Sequence, residues 1–246
     1  MSNYRLKIQY DGTRYHGWQK QKSGSDTIQG KIEAVLSRLC GQDVEVCGAG
    51  RTDAGVHAEC QVANFHMEEA WEPAELFRRM NEYLPNDIRI MKVEQAGERF
   101  HSRLNATGKV YEYHLLKKDC YDVFARKYSW QMDKSLDISC MRRAADILLG
   151  QHDFKGFCTK ASKKKSTVRR IDAIEIRETE RDIFLRFTGN GFLYNMVRIL
   201  TGTLVEIGEG VRPVESIQEI LDAGDRRLAG ETAPAQGLIL REVRYD

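Results

Sequence analysis

The chain has 246 residues, 41% of them hydrophobic and 30% charged, with a formal net charge of +2. That is the composition of an ordinary globular protein, and it excludes disordered, collagen-like and low-complexity classes. No apolar stretch approaches the roughly 20 residues of a membrane-spanning helix, and no export signal precedes the first strand pattern, so the expectation is a cytoplasmic protein with no membrane partner.

Tyr4, Leu6, Ile8 and Tyr10 alternate as one face of a strand. Ile28, Ile32, Val35, Leu36 and Leu39 then fall at helical spacing, with Asp26 as the predicted cap, Gln29 three residues on and Gly41 as the stop. Strands are expected near 44–49 and 60–66. A second helix opens at Pro73, carries Leu76, Phe77, Met80 and Leu84 on one face and ends before Pro85, and a strand follows over Ile88–Val93. The second half repeats the order. A strand near Val110–Leu116 precedes a helix bearing Met141, Ala144, Ala145 and Leu148, and strands near 168–177 and 183–188 form an antiparallel pair. Leu193, Met196, Val197, Leu200 and Leu204 mark a further helix, a short one covers Ile217–Leu221, and Leu238–Tyr245 closes the sheet.

The pattern β-α-β-β-α-β, met twice, predicts an α+β protein of two ferredoxin-like (RRM-like) halves with antiparallel sheets and a cleft between them. The expected domains are 1–105 and 106–246. Six cysteines at 40, 47, 60, 120, 140 and 158 form no C-x-x-C pair, and six scattered histidines complete a pattern with neither a disulfide framework nor a zinc site.

The most informative stretch is Gly50-Arg51-Thr52-Asp53-Ala54-Gly55-Val56-His57-Ala58. Glycines on both sides of one aspartate suit a backbone bent to present that carboxylate. A plain Asx turn would use the same residues. For His57, a hydrogen-bonded scaffold role and an acid or base role stand side by side. Between Lys155 and Arg170 lie seven basic residues, at 155, 160, 163, 164, 165, 169 and 170, and no acidic one. Beginning beside Phe154 and enclosing Phe157, the run suits a loop that tracks phosphates while an aromatic stacks on a base. Lys160, Lys163, Lys164, Lys165, Arg169 and Arg170 are the candidate RNA contacts.

The Asp53 stretch resembles the signature loop of the tRNA pseudouridine synthase A family. Four more segments carry the resemblance: Tyr10-Asp11-Gly12-Thr13-Arg14-Tyr15-His16-Gly17-Trp18-Gln19; Leu84-Pro85-Asn86-Asp87-Ile88; Phe100-His101-Ser102-Arg103 leading to Tyr111-Glu112-Tyr113; and Gly191-Phe192-Leu193-Tyr194-Asn195-Met196-Val197-Arg198. Thr232-Ala233-Pro234-Ala235-Gln236-Gly237-Leu238 is similar to the family's closing motif, and Gln151-His152-Asp153-Phe154 to a segment before the basic loop. Glu59-Cys60 departs from the pattern, where relatives often carry Gly.

The resemblance implies an isomerase that converts uridine to pseudouridine at positions 38–40 of the tRNA anticodon stem-loop, as a homodimer, with no cofactor and no metal. It makes Asp53 the catalytic carboxylate, as nucleophile or electrostatic catalyst, Arg198 its basic partner and Tyr111 the ring against the target base. Leu238 becomes an apolar wall for uracil. Arg51 is assigned to filling the space that a flipped nucleotide vacates or to clamping a phosphate, because a uridine inside a stacked stem must be turned out before chemistry. The reaction suits one carboxylate: an electron-deficient C1′ needs stabilising, as in glycoside hydrolysis, but the retained base needs no activated water. Tyr194 and Arg198, four apart, are expected beside the buried stripe of one helix. A non-catalytic RNA-binding protein with two RRM-like halves is the alternative, and it has no use for Arg-Thr-Asp between glycines.

Overall fold

The computed structural model describes residues 1–21, 26–159 and 166–246. In chain order the elements are β1 (Ser2–Tyr10), α1 (Ile28–Cys40), β2 (Val46–Gly48), β3 (His57–Met67), α2 (Pro73–Tyr83), β4 (Ile88–Ala96), β5 (Ala106–Leu116), β6 (Trp130–Gln131), α3 (Ile138–Ile147), β7 (Gly150–Asp153), β8 (Val168–Glu178), β9 (Asp182–Gly189), α4 (Met196–Gly208), α5 (Ser216–Ala223) and β10 (Leu238–Tyr245). The class is α+β. Two units divide the chain, Met1–Thr107 with Ile239–Asp246, and Gly108–Leu238.

In the first unit β1 is flanked antiparallel by β3 and β4, and β2 pairs antiparallel with β3. That is the strand order a ferredoxin-like β-α-β-β-α-β unit requires. Alternation along β1 buries Leu6, Ile8 and Tyr10 while Lys7 and Gln9 face water. Helices α1 and α2 contribute Ile28, Ile32, Leu36, Leu76 and Met80 to the same core as Tyr4, Phe65 and Ile90. The cap of α1 is Thr27 and not Asp26: the Thr27 hydroxyl accepts from the Gly30 N–H at 3.2 Å, and Asp26 pairs instead with Lys31 at 2.7 Å. Strand β10 runs parallel to β3, with Ile239 opposite His57 and Leu240 opposite Ala58, and residues 239–246 group with the first unit.

In the second unit β9 lies between β5 and β8, all antiparallel, and β7 extends the edge beside β8. Met141, Ala144, Ala145, Leu200, Leu204, Ile217 and Ile220 from its helices are buried with Leu185 and Phe187 of β9. Helix α4 begins at Met196, not Leu193. Asn195 before it is left-handed, with φ of 60°, which ends any helical run from the N-terminal side. Tyr194 therefore lies outside the helix and does not share a face with Arg198.

The six cysteines are free thiols. Among the described residues no helix is long and apolar enough to cross a membrane, and no three His, Cys, Asp or Glu side chains gather as a metal site would require.

Candidate active site

The loop that carries Asp53 joins β2 to β3 and lies on the segment that follows β1. Trp18 N–H donates to Thr52 O at 3.1 Å, and Gly55 N–H to Tyr15 O at 3.3 Å. The hydroxyls of Tyr10 and Thr52 share a 2.8 Å hydrogen bond, and Gly12 N–H donates to His57 Nδ1 at 3.0 Å. Backbone polar groups that leave a regular ladder need such partners when water is excluded. Asp53 is thus held from both sides while its side chain stays half-buried and Ala54 beside it is exposed.

Gly17 shows why the floor of the loop must be small. Its φ is +86°, and a Cβ there would stand 2.6 Å from Thr52 O. Trp18 is buried under the same loop and is a packing anchor. The Leu84–Ile88 motif serves this floor too: Asp87 accepts from Arg14 Nε at 2.9 Å and from the Tyr15 hydroxyl at 2.5 Å, and its carbonyl accepts from Asp11 N–H at 2.9 Å. Burial pushes the Tyr10 and Tyr15 phenols above their ordinary range, the Asp87 hydrogen bond adding to the effect at Tyr15. Arg51, two residues before Asp53, is exposed, and its Nε donates to Gln19 Oε1 at 2.8 Å.

The other sequence-derived candidates lie in the second unit. Arg198 in the first turn of α4 donates through Nε to Ala233 O at 2.7 Å and through Nη1 to Asn195 Oδ1 at 3.0 Å. Ala233 is fixed in turn by its N–H, which donates to Arg198 O at 3.1 Å, and the chain here runs so close to α4 that a Cβ on Gly202 would overlap Glu231 O. The closing motif therefore braces the arginine. Tyr111 is 7% exposed and meets Phe192 edge-on, with ring centroids 5.4 Å apart. Its neighbour on the same strand face, Tyr113, is fully buried, and its hydroxyl donates to Pro234 O at 2.7 Å. Leu238 is buried at the start of β10.

The basic segment is only partly within the described residues: Lys160, Lys163, Lys164 and Lys165 lie outside them. Arg169 donates to Ser166 O at 3.0 Å, and Arg170 pairs with Asp172 at 2.7 Å while most of its side chain stays in water. Phe154 and Phe157 do not serve as stacking rings. Both are fully buried in the turn that follows β7 and packed against one another at 6.1 Å. The Gln151–Phe154 motif is that pairing, with His152 opposite Arg169.

The sequence matches the family described as tRNA pseudouridine synthase over residues 7–105 and 144–246. The chain belongs to that family. Relatives similar over their whole length include tRNA pseudouridine synthase A from Bacillus sp. (strain KSM-64), 46% identical over 100% of both chains, and tRNA pseudouridine synthase A 2 from Bacillus cereus (strain ZK / E33L), 44% identical over 100% of both. A third, tRNA pseudouridine synthase A 1 from Clostridium tetani, is also 44% identical over 100% of both. A solved structure described as a Cbf5-Nop10-Gar1 complex aligns with 96% of this chain and 57% of its own at 13% identity. Its TM-score is 0.36.

Three supporting groups escaped the sequence reading: in the first unit Gln19, bonded to Arg51, and in the second Asn195 and the Ala233 carbonyl, bonded to Arg198. Gln19 and Asn195 close or interrupt motifs already singled out, which is the signal that could have found them. A backbone carbonyl has no residue signature.

Proposed function

We propose that this chain isomerises uridine to pseudouridine at positions 38–40 of the anticodon stem-loop of tRNA, with Asp53 as the catalytic carboxylate. The observation that carries the reading is the Asp53 loop itself, a half-buried carboxylate whose flanking residues are hydrogen-bonded to the Tyr10–Trp18 segment on both sides. Electrostatic stabilisation depends on groups fixed before charge develops, and such a loop supplies one. In the net reaction the C1′–N1 bond breaks, C1′ bonds to C5, the C5 proton leaves and N1 takes up a proton. Asp53 meets the electron deficiency at C1′ while the uracil turns within the site.

Arg198 supplies the positive charge that favours the ionised form of Asp53. Tyr111 packs on the uracil, Leu238 walls it, and Arg51 fills the space the flipped nucleotide leaves. Lys160, Lys163, Lys164, Lys165, Arg169 and Arg170 track the phosphates. The protein acts in the cytoplasm as a homodimer, since two chains of this size offer the basic surface an L-shaped RNA needs.

The test is incubation with unmodified tRNA transcripts and mapping of pseudouridine along the chain. Conversion confined to positions 38–40 is expected. Tight binding with no pseudouridine would instead favour a non-catalytic RNA-binding protein.

A further inference from the structure

His57 opens β3 four residues after Asp53, and it is only 3% exposed. Its Nδ1 lies 3.0 Å from the backbone nitrogen of Gly12, with the amide hydrogen directed at it. The Asp11 carboxylate is also near, with Oδ1 3.2 Å from Nδ1, but that oxygen already accepts from Thr13 N–H at 2.9 Å and from the Thr13 hydroxyl at 2.5 Å. Gly12 is buried and lies flush on the residue before His57: a Cβ there would stand 2.0 Å from Val56 O.

We infer that His57 is a positioning residue, a neutral imidazole whose unprotonated Nδ1 clasps the Gly12 turn to the trailing end of the Asp53 loop. The inference rests on the reading of the chain as a uridine isomerase. A backbone N–H can only donate, so the ring nitrogen facing Gly12 is the acceptor, and a neutral ring then carries its proton on Nε2. A proton on Nδ1 would oppose two hydrogens and leave a buried amide without an acceptor, which is unfavourable. An acid or base must reach the substrate with a free nitrogen. Here Nδ1 is spent on the backbone and almost the whole ring is shielded. The clasp matches the one on the leading side, where Tyr10 holds Thr52 at 2.8 Å. Between them the two fix the backbone on both sides of Asp53.

Two variants separate this role from a merely structural one. In His57→Asn the amide oxygen occupies the place of Nδ1, the same number of bonds from Cβ; in His57→Gln it is displaced by one bond. With tRNA as substrate, His57→Asn keeps kcat within about fivefold of wild type, whereas His57→Gln loses about 100-fold, with KM for tRNA unchanged and both variants melting cooperatively. Equal losses in the two variants, or no loss in either, would overturn the clasp. A variant-free measurement stands beside them: nitrogen NMR of wild-type protein labelled at histidine should show Nδ1 unprotonated and Nε2 protonated at neutral pH. A proton on Nδ1 would overturn the inference even if the variants failed to fold. Wild-type protein that makes no pseudouridine would sink the functional reading and leave the tautomer test of the clasp intact.

Discussion

Gln19 and Arg51 are 32 residues apart in the chain, and a 2.8 Å hydrogen bond from Arg51 Nε to Gln19 Oε1 joins them. Gln19 is itself held: its Nε2 donates to Gln29 Oε1 at 2.7 Å, and Gln29 donates to Glu33 Oε1 at 2.8 Å and to Val46 O at 3.1 Å. A relay of side-chain amides thus runs from the buried face of α1 to an exposed guanidinium two residues from Asp53. Removing Gln19 in Gln19→Leu leaves the charge in place but frees its direction, and should lower kcat/KM for tRNA by about tenfold. Arg51→Ala should cost more, and the double variant no more than Arg51→Ala alone, because both changes act through one contact. Additive losses in single-turnover assays would contradict the relay.

The floor of the loop sets a second expectation. Gly17 and Gly41 both have positive φ, at 86° and 69°. A Cβ at Gly41 meets nothing within 4 Å, whereas one at Gly17 collides with the backbone of Thr52. Gly41→Ala should therefore cost only the left-handed penalty, about 1 kcal/mol in urea unfolding. Gly17→Ala should cost about 3 kcal/mol and abolish turnover at temperatures where it remains folded. Equal costs would show that the loop yields.

A third expectation concerns the brace on Arg198. Lysine has the charge but not the fork that reaches Ala233 O and Asn195 Oδ1 together, so Arg198→Lys is not conservative here. It should lose about 100-fold in kcat while still binding tRNA. Asn195→Ala, which removes one of the two holds, should fall between it and wild type. Near-normal turnover in Arg198→Lys would mean that charge alone suffices.

Alkaline pH supplies a fourth. Burial raises the phenols of Tyr10, Tyr15, Tyr113 and Tyr245 above the usual 10.0. A raised folded-state value means that the fold prefers the neutral ring. That contribution is fully present below pH 10.0 and is lost as pH rises through the raised values. Phenolate absorbance from Tyr10 and Tyr113 should appear only together with the loss of far-ultraviolet circular dichroism, and Tyr113→Phe should shrink that late step. Ionisation of these two within an intact fold would contradict their burial.

The parts of this molecule that were legible in its sequence are those whose signal is local. Alternation from Tyr4 to Tyr10 and the helical stripe from Ile28 to Leu36 each report one buried face, and the structure buries those faces. Strands β6 and β7 are two and four residues long, too short to show a period. The start of α4 was obscured because Leu193 sits at helical spacing although Asn195 is left-handed. The residues of β10 read as a strand, but periodicity says nothing of its parallel pairing with β3.

The candidate site divides the same way. Arg51, Thr52 and Asp53 are adjacent in the chain, so their motif is visible at once. What holds them is not, because each support is a hydrogen bond between distant positions. Gln29 reads as a capping residue for α1, yet it is buried and bonded to Glu33.

The central claim is that the Asp53 carboxylate carries the chemistry. It is tested most directly by tritium release from tRNA labelled at C5 of uridine, comparing wild type with Asp53→Asn, which keeps the side chain's size and removes its charge. Wild-type protein should release tritium as C5 bonds to C1′, and the variant should release none while binding tRNA as tightly. Release at the wild-type rate by Asp53→Asn would contradict the account.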